Sequence, residues 1–206
     1  MVTEAYLHDP CGASSLPFWK TNIVRVPEDI LILREDDPRF KNLRGNIDEP
    51  YFKLIHRMDW VESPSLPEGF RFFFPDAATL SDHIALCYER ERISVEELMM
   101  YRRHPTFSPD LWLAIDDERT GEIVASGIAE LDASIREGVL EWIQVSPTHR
   151  KKGWGRAVVC ELLRRMEGRA DFVTVSGREK DPCCPQALYE SCGFGGCVLW
   201  HVLRRV

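Results

Sequence analysis

From Met1 to about Gly69 apolar and polar positions follow no steady period. Prolines in Asp9-Pro10, Leu16-Pro17, Val26-Pro27, Asp37-Pro38, Glu49-Pro50, Ser63-Pro64 and Leu66-Pro67 recur too often for long regular elements. This stretch reads as an extension of short elements. It carries Phe18, Trp19, Tyr51, Phe52 and Trp60, which a solvated tail would lack, so residues 1–68 are expected to pack on the body of the protein, with Trp19 and Trp60 shielded. Beyond Gly69 the pattern becomes periodic. A short strand, Phe70 to Phe74, precedes a helix from about Asp76 to Arg90 with Leu80, Ile84 and Cys87 on one face. Ser94-Val95-Glu96-Glu97 has the form of a capping box, hydroxyl at the N-cap and carboxylate three residues on, and opens a second helix that ends near His104-Pro105.

Three strands follow, Leu111 to Asp116, Glu122 to Leu131 and Val139 to Val145, the first two joined at Arg119-Thr120-Gly121 as an antiparallel meander. In the third, alternation puts Val139, Ile143 and Val145 on one face and Leu140 and Trp142 on the other. Both faces are apolar, as in a sheet covered by helices on each side, and Glu141 and Gln144 are the polar exceptions. From Gly153 to about Gly168, Val158, Val159, Leu162, Leu163 and Met166 recur at helical spacing and form one buried stripe. A strand Phe172 to Val175, a helix Gln186 to Cys192 and a final strand pair complete an α/β (α+β) reading, with the periodic domain spanning 69–206.

Composition changes this picture little. With 44% hydrophobic and 29% charged residues the chain is an ordinary globular one, and its formal net charge of −7 disfavours nucleic acid or an anionic membrane as partner. The start lacks a basic segment leading into an apolar stretch, and the expected location is cytoplasmic. Seven cysteines read as reduced thiols, and no zinc-spaced ligand set accompanies Cys183-Cys184, so no metal is expected.

The segment with chemistry is Val145-Ser-Pro-Thr-His-Arg-Lys-Lys-Gly-Trp-Gly-Arg156, a buried strand leading through a glycine-bearing loop into an amphipathic helix. Helix N-termini present unpaired N–H groups and a positive dipole end, and Gly153 and Gly155 let a phosphate approach the backbone. Arg150, Lys151, Lys152 and Arg156 add local positive charge to an acidic chain. Gly155 is followed by Arg156-Ala157-Val158, which excludes both the Gly-Lys-Ser/Thr end of a P-loop and the third small residue of a dinucleotide fingerprint.

Arg150-Lys151-Lys152-Gly153-Trp154-Gly155 resembles the acetyl-CoA motif of the GCN5-related N-acetyltransferase (GNAT) family: Gln or Arg, two variable residues, Gly, one variable residue, Gly or Ala. Val145-Ser146-Pro147 before it, and Ala187-Leu188-Tyr189-Glu190-Ser191-Cys192-Gly193-Phe194 after it, are similar to the family's strand end and its Tyr-containing helix followed by Gly-Phe. The likeness covers roughly residues 69–206 and implies a mixed central sheet with helices on both faces. Asp9 to Lys20 is similar to an N-terminal element of some uncharacterised bacterial members.

The resemblance implies an N-acetyltransferase that moves acetyl from acetyl-CoA, as cosubstrate, to a small-molecule or protein amine. It places pyrophosphate on the amides of Lys151, Lys152, Gly153, Trp154, Gly155 and Arg156, with Arg150 and the lysines as candidates for the 3′-phosphate. Pantetheine would run along Ile143, Gln144 and Val145, in the gap before the strand Phe172 to Val175, and the Val145 N–H would polarise the thioester carbonyl. Tyr189 matches the family's tyrosine near the sulfur and is the candidate acid. For the base, Glu141 interrupts an apolar strand where burial would raise a carboxylate's pKa; Glu137, Asp132 and His149 are substitutes. The family position used as base by histone-modifying relatives falls on Val139, so that role does not transfer. A catalytically weak acetyl-CoA-binding sensor on the same fold remains the alternative, and the oligomeric state is not legible.

Overall fold

The computed structural model describes residues 4–9, 28–40, 45–88, 91–181, 183 and 185–205. Trp19 and most of the proline-punctuated segment before residue 28 therefore lie outside it. In chain order the elements are α1 (Glu4–His8), β1 (Ile30–Arg34), β2 (Ile47–His56), β3 (Phe70–Phe73), α2 (Ala77–Cys87), α3 (Val95–Tyr101), β4 (Trp112–Asp117), β5 (Ile123–Asp132), β6 (Glu137–Val145), α4 (Trp154–Met166), β7 (Phe172–Arg178), α5 (Pro185–Ser191) and β8 (Gly195–Arg204). This is an α/β fold. Its chain divides into two compact units, Met58–Val173 and Met1–Arg57 with Thr174–Val206. No helix among the described residues is long and apolar enough to cross a membrane.

In the unit 58–173 the strands lie in the order β6-β5-β4-β3, each pair antiparallel. The turn between β4 and β5 closes on Asp117, whose carbonyl accepts from the N–H groups of Thr120 and Gly121; the left-handed Gly121 (φ 71°) makes that reversal possible. One face of these strands packs on α2 and α3. There Ala77, Leu80, Ile84, Ile93, Leu98, Trp112 and Ile128 form a buried cluster flanked by Tyr88, Tyr101, Phe107 and Trp142. Both helices start with side-chain caps: Asp76 accepts from Thr79 N at 2.8 Å, and Ser94 and Glu97 form the full capping box.

The other face packs on α4. Val158, Val159, Leu162, Leu163 and Met166 are buried to 1% exposure or less, the stripe that the spacing predicts. Two strand glycines admit the helix at close range. A Cβ on Gly127 would lie 2.5 Å from Val158 Cγ1, and one on Gly138 would lie 2.4 Å from Met166 Sδ.

A bulge in β6 overturns the expected alternation. Gly127 pairs with Ile143 but Ala129 pairs with Leu140, so Glu141 and Trp142 together oppose Ile128. The extra residue flips the parity. Gly138 and Ile143 both reach the α4 side, Leu140 shares it, and Val139 goes to the α2 and α3 side. Trp142 packs there against the buried cluster.

In the other unit β8 lies between β1 and β2, antiparallel to both, and β7 lies beyond β2. β2 is ten residues long and ends in Phe52, Lys53, Leu54, Ile55 and His56, all buried, where the sequence led us to expect only short elements. The expected final strand pair is instead the single strand β8. Trp60, expected to be shielded, is 63% exposed.

Candidate active site

The end of β6 is set by its ladder. Ser146 N donates to Val124 O at 3.0 Å, so by antiparallel alternation Gln144 also faces β5, while the backbone groups of Ile143 and Val145 point to the opposite edge. Their carbonyls are used on that edge: Tyr88 Oη donates to Ile143 O at 3.1 Å and Arg150 Nε to Val145 O at 3.3 Å. Arg150 also donates to Cys87 O at 2.7 Å, placing a cation on the C-terminal turn of α2. Its guanidinium thus clamps the loop to α2, a structural task that the sequence did not suggest.

After a single 3-10 turn (Pro147–His149) the chain takes left-handed conformations at Lys151 (φ 59°) and Gly153 (φ 88°), and α4 begins at Trp154. Gly153 is the N-cap and provides no capping side chain. The first helical bond runs from Ala157 N to Gly153 O, so the N–H groups of Trp154, Gly155 and Arg156 precede the intrahelical ladder. Nothing lies within 4 Å of where a Gly153 Cβ would stand. Open space above unladdered donors at the positive end of a thirteen-residue helix is what an anion requires.

The side chains around this loop face elsewhere. Trp154 is buried and its ring lies tilted against Phe70 with centroids 4.5 Å apart, which anchors the helix start and leaves its backbone for other contacts. Arg156 pairs with Glu62, Lys152 Nζ donates to Thr148 O at 3.0 Å, and Lys151 and Lys152 are exposed.

Glu141, carried by the bulge, is half-buried on the side of α3. Tyr101 shows its field: burial first, then the charges of Glu141 and Glu130, push that phenol up to about 12. His104, stacked on Tyr101, has its Nδ1 3.3 Å from Glu130. Of the substitute bases, Glu137 is fully buried, Asp132 accepts from Ser134 N and Oγ, and His149 lies 3.7 Å from Glu122.

Beneath the end of β6 lies a buried polar chain that the sequence reading missed. His83 of α2 reaches Ser126 Oγ with Nδ1 at 2.8 Å and Ser146 Oγ with Nε2 at 2.9 Å; Gln144 Nε2 donates to Ser126 Oγ and Ser146 Oγ to Ile123 O. Burial lowers the His83 pKa to about 4, so its ring is neutral at ordinary pH. A histidine beside Leu80, Ile84 and Cys87 on the apolar stripe of α2 was the available signal, but its partners are 43 and 63 residues away.

The unit 58–173 thus brings together Glu141, Ile143, Gln144, Val145 and the loop Arg150 to Arg156. Tyr189 belongs to the other unit. It is buried in α5, its ring tilted against Phe52 and Phe194 at centroid distances of 6.3 and 5.8 Å, and the left-handed Gly193 turns the chain so that Phe194 N donates to Tyr189 O.

A family profile described as an acetyltransferase (GNAT) domain matches residues 108–195. No curated protein sequence matches the chain. Among solved structures, a GCN5-related N-acetyltransferase from Sphaerobacter thermophilus has a TM-score of 0.69 at 18% identity, over 86% of this chain and 60% of its own. A GNAT-family acetyltransferase from Colwellia psychrerythraea has a TM-score of 0.59 at 11% identity, over 84% and 64%. This chain spans less than two thirds of either. The ribosomal-protein-S18-alanine N-acetyltransferase from Escherichia coli has a TM-score of 0.52 at 16% identity, over 66% of this chain and 95% of its own. At these identities the likeness is one of fold. Residues 108–195 thus match an acetyltransferase (GNAT) domain profile, and the fold around them is the one seen in GCN5-related N-acetyltransferases.

Proposed function

We propose that this protein transfers the acetyl group of acetyl-CoA to an amine, of a small molecule or a protein, by direct attack on the thioester. The observation that carries the reading is the uncapped start of α4, with left-handed Gly153 and open space where its Cβ would stand, one short loop after the strand end at Val145. The amides of residues 151 to 156 hold the pyrophosphate. The backbone of Ile143 and Val145, aimed away from β5, lines the pantetheine arm, and the Val145 N–H stabilises the carbonyl oxygen as negative charge develops on it.

In the transfer the amine nitrogen attacks the carbonyl carbon, the C–S bond breaks, the amine's proton goes to Glu141 directly or through water, and the thiolate is protonated. Tyr189 holds the acid role by its motif position. Arg150 also serves the loop, since its guanidinium donates to the carbonyls of Val145 and Cys87. The test is calorimetric titration with acetyl-CoA followed by thiol release with an amine panel. Binding with turnover supports the enzyme; binding without turnover favours a sensor; no binding overturns both.

A further inference from the structure

The buried chain under β6 has only one arrangement of protons. Ser146 Oγ gives its hydrogen to Ile123 O, so at 2.9 Å it can only accept from His83, and Nε2 carries the imidazole hydrogen. The ring is neutral, so Nδ1 is an acceptor and takes the hydroxyl hydrogen of Ser126. Ser126 Oγ then has no hydrogen left, and the amide of Gln144 must present its nitrogen to it. A flipped amide would set two acceptors against each other. The side-chain oxygen of Gln144 is therefore fixed as the outer end of the chain. It is buried, in a residue 4% exposed, and no hydrogen-bond donor reaches it among the described residues.

Buried acceptors of this kind are rarely left alone, and three other side chains, Ser146, His83 and Ser126, are committed to pointing this one. Gln144 stands between Ile143 and Val145, whose backbones line the proposed thioester. We propose that Gln144 Oε1 accepts a hydrogen bond from an N–H group of a bound substrate and that His83 and Ser126 are the positioning residues that fix its amide. The N–H has two sources, the amine acceptor or an amide of the pantetheine arm. This inference rests on the acetyl-transfer reading.

The experiment compares wild type with Gln144→Met, which keeps length but removes the acceptor, in calorimetry with acetyl-CoA and in steady-state kinetics with the amine accepted from the panel. A loss of about tenfold in acetyl-CoA affinity assigns the bond to pantetheine; a rise of about tenfold in amine KM with unchanged acetyl-CoA affinity assigns it to the acceptor. Ser126→Ala leaves Gln144 in place but frees its amide to flip, and should move the same constant by about threefold. It also carries the test if Gln144→Met does not fold. Both constants within twofold of wild type in folded variants would overturn the proposal and leave Gln144 as a core residue. Failure of wild type itself to bind acetyl-CoA would instead overturn the reading beneath it.

Discussion

Gly153 combines two demands at one residue, a left-handed backbone at φ 88° and open space over the first-turn amides of α4. A Cβ there meets nothing within 4 Å, so the cost of valine is backbone strain and, on the proposed reading, bulk in the path of the pyrophosphate. Gly153→Val should therefore weaken acetyl-CoA binding by at least about tenfold with a modest change in melting temperature; unaltered affinity would remove the loop from the site. For the chemistry, Glu141→Gln and Tyr189→Phe should each lower kcat by about 10² to 10⁴ with little effect on acetyl-CoA affinity. A loss below tenfold for Glu141→Gln, with an unchanged pH–rate profile, would remove Glu141 as the base. His83 gives a prediction of its own. Its pKa falls from 6.5 unfolded to about 4 in the folded protein, so the unfolded chain binds more protons between these values. The His83 contribution to stability should be flat above pH 7 and fall by roughly 3 kcal/mol as pH drops from 6.5 to 4. Urea midpoints across that window should show a shallower slope for His83→Gln, and equal slopes would contradict the assignment.

At the scale of elements, the two strand glycines differ in what opposes them. A Cβ on Gly127 meets the stiff, branched Val158 at 2.5 Å together with Ile143 and Leu162, whereas one on Gly138 meets first the flexible thioether of Met166. Gly127→Ala should cost about 1–3 kcal/mol and Gly138→Ala less; denaturant unfolding of both decides the order, and the reverse would contradict the packing argument. Such contacts explain what the sequence could and could not tell. The capping box at Ser94, the stripe of α4 and the loop at Gly153 are local, written within a few residues, and were legible. β2 was not, because Pro50 and the charged residues around it read as a breaker, although the Pro50 carbonyl still accepts from Glu179 N. The β6 bulge was invisible because alternation assumes an unbroken ladder; one extra residue moved Val139 and Leu140 to opposite faces from those expected. The His83 chain escaped because its partners meet only through tertiary packing.

At the scale of the whole molecule, the sequence invites a cut near residue 68, between an irregular extension and a periodic domain. The compact units are divided elsewhere, with the chain's first 57 residues grouped with its last 33, Thr174 to Val206. The reason lies in pairing and burial. β8 has β1 on one side and β2 on the other, and Leu33, Phe52 and Leu54 of those two strands are buried to 1% or less. Phe52 also lies against Tyr189 and against the Gly177 backbone, where a Cβ would come within 2.6 Å of its ring. Removing residues 1–68 would expose both edges of β8 and delete, among other buried side chains, Leu33, Phe52 and Leu54, worth roughly 1.5–3 kcal/mol each and together comparable with the whole stability margin of a domain. The fragment 69–206 should therefore lose cooperative thermal unfolding and acetyl transfer together, and Phe52→Ala in the full chain should lower stability by about 3–5 kcal/mol. A soluble 69–206 fragment with a cooperative transition within a few degrees of the full chain would show that the extension is dispensable and that residues 174–206 hold Tyr189 in place without β2.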